Sequence, residues 1–127
     1  MEGLYEVKTI NSILEKHDFS FSKKLGQNFL INPSVCPRIA EMGNAAEGFG
    51  IIEVGTGIGV LTHELAKRAD KVCAVELDER LLPVLEETLA EHNNVKIFND
   101  DIMEIDLKKL IAEAVSYTHL TLPTIRL

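Results

Sequence analysis

The chain has 127 residues, of which 46% are hydrophobic, and its formal net charge is −7. This length corresponds to about one domain, the apolar fraction excludes a disordered chain, and the acidic balance argues against a simple basic nucleic-acid-binding module. No apolar run approaches the ~20 residues that cross a bilayer, and the first residues lack the pattern of a secretory signal. We therefore expect a globular cytoplasmic protein.

The first third of the chain is predicted to form two helices with loops between them. Residues 9–17 fit a short amphipathic helix with aliphatic residues on one face. Asn32 is a suitable N-cap and Pro33 suits the first helical position, which predicts a second helix from Pro33 to about Met42. This N-terminal helical segment precedes the remaining elements.

Strands and helices alternate from Gly50 onward. Asp78 is expected to cap the middle helix, and Pro83 to kink or loosen its start. Strands separated by helices predict βαβ units and a parallel sheet, so the fold class is α/β and the pattern fits the first half of a Rossmann-like sheet. The predicted strands and helices, in chain order, are 51–54, 60–69, 71–75, 78–91, 95–98 and 106–114.

A glycine-rich turn follows the first predicted strand: Glu53-Val54-Gly55-Thr56-Gly57-Ile58-Gly59. Glycines at alternate positions between a strand and a helix permit a tight turn and a close approach to a ligand. The turn has no lysine, so it does not match the phosphate cradle, and Val60 stands where the dinucleotide fingerprint has its third glycine. A plain strand–helix turn is the simpler alternative.

Acidic residues stand at or just after the ends of three predicted strands: Glu53, Glu76 and Asp101. Ligands of parallel sheets bind beyond the carboxyl ends of the strands, so we expect these carboxylates to face one crevice. An acid at position 76 suits ribose hydroxyls. Glu53 suits a cofactor that carries a cationic amine and no phosphate. S-adenosylmethionine has these properties, and we expect it as the cofactor.

The cysteines and histidines indicate no further site. Cys36 and Cys73 have no CxxC spacing, and we expect two buried thiols. His17, His63 and His92 have no spacing typical of a metal site or a general base. We interpret these histidines as surface residues and expect no metal.

The segment Lys24-Leu25-Gly26-Gln27-Asn28-Phe29-Leu30, with the glycine turn and Leu61-Thr62, resembles the rRNA adenine N6,N6-dimethyltransferase family, in its small-subunit type. The resemblance covers residues 8–114. Related macrolide-resistance methyltransferases share Gln27-Asn28-Phe29-Leu30 but usually have a Lys-Gly-His-like sequence in place of Ile58-Gly59-Val60. Thr56 stands where many members have proline.

The resemblance implies which residues bind the cofactor. Asn28 and the backbone of Leu30 would border the methionine end, which the backbone at Gly55 would also approach. Glu76 would accept hydrogen bonds from both ribose hydroxyls. Asp101 would accept from the adenine amino group.

Most of these residues have a simpler alternative role. Asn28 could cap a turn, and Asp101 could cap the turn that follows it. Glu76 could pair with Arg80 on the next helix, which would be a modest surface ion pair. Asp100, one residue earlier, competes with Asp101 for the adenine.

The activity implied by the resemblance is dimethylation of N6 of two adjacent adenines in small-subunit rRNA, during ribosome biogenesis, by a monomeric enzyme. In the family, an Asn-x-Pro-Tyr motif after the fourth strand holds the target amine and stacks on the unstacked base. This sequence lacks the motif, since Thr121-Leu122-Pro123-Thr124 differs at both ends, so no catalytic residue is assigned. We expect an inactive fragment without a fourth strand or a C-terminal RNA-binding domain.

Residues 115–127 contain no acid, and Arg126 is their single formal charge. We divide the chain into a partial cofactor-binding domain at 1–114 and a tail at 115–127, which resembles translated sequencing adapter and is interpreted as non-native. An edge strand is the alternative for the tail. Two other functions stay open: a fragment of an NAD-dependent oxidoreductase, and a non-catalytic S-adenosylmethionine-binding module that assists ribosome assembly.

Overall fold

The computed structural model describes residues 3–4, 6–19 and 34–115, and the backbone of residues 124–126. No helix in these ranges is both long and apolar enough to cross a membrane. The elements are, in chain order, α1 (Val7–Lys16), α2 (Val35–Met42), β1 (Phe49–Val54), α3 (Val60–Arg68), β2 (Lys71–Val75), α4 (Leu82–Thr88), β3 (Val95–Phe98), α5 (Leu107–Val115) and β4 (Thr124–Arg126).

The strands form one parallel sheet in the order β3-β2-β1-β4. β1 and β2 pair from Gly50 opposite Lys71 to Val54 opposite Val75. Because all strands run in the same direction, the carboxyl ends of β1, β2 and β3 lie at one edge of the sheet, where ligands of such sheets bind. The predicted α/β class is confirmed.

Helices cover both faces of the sheet. On one face, α2 and α3 pack against Ile51 and Val72. On the other face, α5 packs against Ile52 and Cys73. Successive strand residues point to opposite faces, so strands covered on both faces consist of continuous apolar runs. Cys36 and Cys73 are buried free thiols, as predicted.

The start of α4 differs from a regular α-helix. A single 3₁₀ turn precedes it, and the side chain of Asp78 caps that turn by accepting a hydrogen bond from the N–H of Arg80 at 3.0 Å. Pro83 follows in the first turn of α4. The predicted cap and loosened start are therefore confirmed.

Several predicted helix ends are wrong, and α1 begins at Val7 instead of residue 9. α4 ends at Thr88 instead of 91. The turn that follows is held against α3, because Asn94 Nδ2 donates to the carbonyl oxygens of Ala66 (2.9 Å) and Ala69 (3.0 Å). α2 begins at Val35, and its predicted cap and first residue, positions 32 and 33, lie outside the described residues.

A fourth strand is present, contrary to the expectation from the sequence. β4 pairs in parallel with β1, with Thr124 opposite Phe49 and Arg126 opposite Ile51. This pairing satisfies backbone groups along the first half of β1 that an open sheet edge would leave unpaired. The geometry corresponds to the edge-strand alternative, and α5 also extends to Val115, one residue past the predicted boundary. The non-native origin of residues 115–127 stays a prediction, which the sequence of the surrounding gene would decide.

Candidate functional site

The glycine turn between β1 and α3 has backbone angles that glycine adopts readily and other residues rarely do. The φ angle is +80° at Gly55, +55° at Gly57 and +95° at Gly59. A Cβ built at Gly55 or Gly57 meets no described atom within 4 Å, whereas one at Gly59 comes 2.9 Å from Thr88 Oγ1. The first two glycines therefore open onto free space, and the third permits close packing of the turn against α4.

Glu76, at the end of β2, holds the glycine turn in place. Its Oε1 accepts hydrogen bonds from the N–H groups of Thr56 (3.0 Å) and Gly57 (3.2 Å), and from Thr56 Oγ1 (2.9 Å). Its Oε2 accepts from the N–H of Asp78 at 2.9 Å. Since each carboxylate oxygen has about two acceptor sites, Oε1 is filled by described residues and Oε2 keeps one site.

The simpler alternative for Glu76, a surface ion pair with Arg80, is wrong. Arg80 pairs with Asp78 instead, through two hydrogen bonds of 2.9 and 2.7 Å. Asn99 Nδ2 donates to the carbonyl oxygens of Glu76 (2.9 Å) and Leu77 (3.2 Å), which ties the end of β3 to the end of β2. Sequence reasoning assigned no role to Asn99, although its position directly after a predicted strand was a usable signal.

Glu53 lies one residue before the end of β1 and is 6% exposed. Its Oε1 accepts a hydrogen bond from Thr62 Oγ1 at 2.5 Å, and its buried Oε2 has no partner among the described residues. Burial raises the pKa of Glu53 to about 7, the Thr62 hydroxyl opposes this increase, and the negative charge of Glu76 adds to it. A buried carboxyl with one unsatisfied oxygen costs free energy, and such groups are concentrated at functional sites.

A cavity of about 370 Å³ lies beside Glu53, between β1, α2 and α3. Apolar residues of all three elements line it, among them Met42, Val54 and Leu61, and Glu53 is the one charged residue among its described lining residues. The volume is within the range of small-molecule sites, which combine apolar walls with a few polar groups. The cavity can therefore receive a ligand group that Glu53 would bind.

Asp101, after the end of β3, is half-buried, whereas Asp100 is exposed. Asp101 Oδ1 accepts a hydrogen bond from the N–H of Met103 at 2.9 Å, which is the turn cap that was the simpler alternative. Asp100 Oδ1 accepts from the N–H of Asp101 at 3.2 Å. Two other predicted cofactor residues, Asn28 and Leu30, lie outside the described residues.

Two histidines that were interpreted as surface residues lie against each other. His63 Nδ1 is 2.7 Å from His92 Nε2, and the two side chains are 12% and 11% exposed. The interpretation as surface residues is wrong for this pair, because α3 packs against the turn that follows α4. Sequence spacing carries no signal for a contact that depends on tertiary packing. His17 is also partly buried, and its Nε2 lies 2.5 Å from Glu87 Oε2.

A family model described as Ribosomal RNA adenine dimethylase matches residues 18–122. The chain belongs to this family. Its members are methyltransferases that depend on S-adenosylmethionine. The resemblance inferred from the glycine turn and the segment 24–30 is confirmed.

Curated relatives of this chain are named as ribosomal RNA methyltransferases. Ribosomal RNA small subunit methyltransferase A of Alkaliphilus oremlandii is 48% identical over 113 residues, which are 89% of this chain and 39% of that protein. The protein of the same name from Lysinibacillus sphaericus is 54% identical over 101 residues, which are 80% of this chain and 34% of that protein. The chain thus spans 34–39% of the length of these relatives.

Solved structures of RNA methyltransferases share the fold. The 23S rRNA methyltransferase ErmE is 29% identical with a TM-score of 0.59, covering 77% of this chain and 45% of that chain. The tRNA (m1A58) methyltransferase TrmI from Aquifex aeolicus is 25% identical with a TM-score of 0.55, covering 74% of this chain and 38% of that chain. The predicted Rossmann-like methyltransferase sheet is confirmed.

Proposed function

We propose that residues 1–114 belong to the cofactor-binding domain of an enzyme that uses S-adenosylmethionine to dimethylate N6 of two adjacent adenines in small-subunit rRNA. The observation that carries the proposal is the buried Glu53 carboxyl, which has an unsatisfied oxygen beside an apolar cavity. Family membership favours S-adenosylmethionine over a nicotinamide dinucleotide, whose fingerprint has a glycine where this chain has Val60.

The methionine end of the cofactor is proposed to lie at the glycine turn. The Oε2 of Glu53 would accept a hydrogen bond from the cationic amine, which would satisfy the buried oxygen and neutralise its charge. The open space at Gly55 would admit the ligand close to the backbone. Asn28 and the backbone of Leu30 complete this end by family resemblance.

The ribose and adenine are proposed to lie along the ends of β2 and β3. Oε2 of Glu76 would accept from one ribose hydroxyl, instead of the two that the resemblance implies, while Oε1 continues to hold the turn. Asp101 would accept from the adenine amino group. Leu77 (69% exposed) and Met103 (86% exposed) follow these two acids closely in sequence and would provide apolar surface for the ring.

Bound S-adenosylmethionine would supply a methyl group on a sulfonium, which is a good leaving group. This chain would orient that methyl: Glu53 would fix the methionine end of the cofactor, Glu76 would fix its ribose, and the apolar cavity walls would exclude water. The target adenine would have to be held out of its stack by the family's Asn-x-Pro-Tyr motif, which this sequence lacks. We therefore infer that the 127-residue chain alone does not transfer methyl groups.

The proposed substrate is the rRNA of the immature small ribosomal subunit, and the proposed enzyme is cytoplasmic and monomeric. The names of the relatives support the small subunit. The second candidate is a non-catalytic cofactor-binding module that assists ribosome assembly.

Calorimetric titration of the chain with S-adenosylmethionine, 5′-methylthioadenosine and NADH tests the cofactor site. We expect Glu76→Gln to weaken binding of the first two ligands by about tenfold, because both contain the ribose and each orientation of the amide would oppose an N–H donor. The exposed Glu104→Gln is the matched control and should leave both affinities unchanged. NADH binding as tight as that of S-adenosylmethionine would contradict the proposal.

Methylation of undermethylated small ribosomal subunits tests the catalytic part of the proposal. We expect no transfer by this chain and transfer once a downstream segment with the Asn-x-Pro-Tyr motif is restored. Transfer by the 127-residue chain itself would refute the inferred inactivity. Cofactor binding without transfer by the restored protein would favour the assembly module.

A further inference from the structure

Three side chains able to bind a metal converge at a place distinct from the glycine turn: His63 of α3, and Glu91 and His92 of the turn after α4. Their ligating atoms all lie within 4.8 Å of one another. His63 Nδ1 is 2.7 Å from His92 Nε2 and 3.3 Å from Glu91 Oε1. The remaining distance, from His92 Nε2 to Glu91 Oε1, is 3.8 Å. Two imidazole nitrogens and one carboxylate oxygen therefore surround a single point.

We propose that His63, Glu91 and His92 bind one divalent transition-metal ion, and that zinc is the ion that suits them best. Imidazole and carboxylate groups are common zinc ligands, and three protein ligands leave a fourth position for water. Magnesium and calcium prefer sites made only of oxygens, so a site with two imidazoles selects against them.

The geometry needs a small adjustment to receive the ion. In a tetrahedral site with zinc–nitrogen bonds of ~2.0–2.1 Å, two ligating nitrogens are about 3.3 Å apart. The two imidazole nitrogens, now 2.7 Å apart, would exchange their mutual hydrogen bond for bonds to the metal by separating slightly. The separation has to grow by about 0.6 Å, and the imidazole that donates the hydrogen bond has to carry its proton on its other ring nitrogen.

The surroundings of the two imidazoles favour the neutral form, which is the form that binds metals. Burial lowers the pKa of both His63 and His92, and the positive charge of Lys67 lowers both further, whereas Glu91 raises them. A neutral imidazole presents a lone pair to the metal. Lys67 pairs with Glu64 at 2.9 Å, which reduces its repulsion of a bound cation.

The position of the cluster indicates a structural role for the ion. The turn that carries His92 is already attached to α3 through the hydrogen bonds of Asn94 to Ala66 and Ala69. The side chain of Glu91 is 49% exposed, so an ion can enter from that side. A bound metal would therefore tie α3 to the connection between α4 and β3, and it would stabilise the fold without taking part in methyl transfer.

Zinc titration of the metal-free chain, followed by calorimetry and by the melting temperature, tests this site. We expect one ion per chain and a higher melting temperature with zinc than without it. His63→Gln and His92→Gln should each lower zinc affinity by at least about tenfold. The matched control is His17→Gln, because His17 is bonded to Glu87 outside the cluster and its replacement should leave zinc affinity unchanged. Zinc affinity that survives in the double variant of His63 and His92 would overturn the proposal.

Cobalt absorption provides a second measurement that needs no variant. We expect Co²⁺ added to the unmodified chain to develop the intense visible absorption of a four-coordinate site, and stoichiometric zinc to remove it. A cobalt spectrum that stays that of the hydrated ion would contradict the proposed site. The metal experiments use only zinc and cobalt ions, which contain neither adenine nor ribose. A negative result in them would therefore leave the proposed cofactor site unaffected.

Discussion

Replacing Glu53 by glutamine is expected to raise the free energy of unfolding at pH 8, by up to about 3 kcal/mol. The pKa of Glu53 rises from 4.5 to about 7 in the folded chain, chiefly because of burial. Between these two pH values the folded state keeps a proton on Glu53 that the unfolded state has released. The contribution of this carboxyl to the free energy of unfolding is therefore fully present below pH 4.5 and is lost as the pH rises through 7. Glutamine stays neutral and keeps an oxygen for the Thr62 hydroxyl, so it avoids this loss.

Urea unfolding between pH 5 and pH 8 measures this effect. The free energy of unfolding should fall with pH more steeply in the unmodified chain than in Glu53→Gln, and the exposed Glu104→Gln should behave like the unmodified chain. Parallel pH profiles for the unmodified chain and Glu53→Gln would show that Glu53 ionises normally in the folded state.

The same substitution separates stability from ligand binding. If Glu53 contacts the cationic amine, Glu53→Gln should weaken S-adenosylmethionine binding although it stabilises the chain. Binding of 5′-methylthioadenosine, which has no amine, should be unchanged. Affinity for S-adenosylmethionine should also rise with pH from about 6 to 7.5, since the ligand favours the ionised carboxylate. Equal losses for both ligands would place Glu53 away from the amine.

Gly50→Ala is expected to destabilise the chain by about 3 kcal/mol or more, because the change overpacks a closed contact. Gly50 lies in β1 under α5, and an added Cβ would overlap the carbonyl oxygen of Ala114 and approach its carbonyl carbon to 2.7 Å. Those atoms belong to the backbone, so no side-chain rotation can relieve the overlap. The last turn of α5 would have to move away from the sheet.

Gly43→Ala is the matched control for this experiment. Its Cβ would lie 3.4 Å from the carbonyl oxygen of Ile39, which is an ordinary contact. We expect its melting temperature to remain near that of the unmodified chain, while that of Gly50→Ala falls by at least about 10 °C. A loss below about 0.5 kcal/mol in Gly50→Ala would mean that α5 packs less closely on β1 than the structure shows.

Local signals explain why most of the fold could be predicted from the sequence. β2 and β3 begin and end at the predicted residues, 71–75 and 95–98, because short apolar runs bounded by polar residues define them. Asp78 and Pro83 indicated the irregular start of α4 through their known effects on helix termini. The alternation of strand and helix patterns predicted the order of the elements around the glycine turn.

Contacts between distant residues could not be predicted in the same way. The expectation that a fourth strand is absent was wrong, because residues 124–126 pair with the open edge of β1. These three residues have no clear strand pattern. The burial of Glu53 depends on tertiary packing, and its carboxyl contacts Thr62 of α3. The contact between His63 and His92 joins positions 29 residues apart, and no periodicity relates them.

The hydrogen bonds from the glycine turn to Glu76 Oε1 also bear on the thermodynamics of ligand binding. A turn that becomes ordered only around its ligand loses conformational entropy at the moment of association, and that loss weakens affinity. Here the carboxylate immobilises the N–H groups of Thr56 and Gly57 during folding itself. A ligand would therefore meet a preorganised surface, and the association step would carry little of the ordering cost.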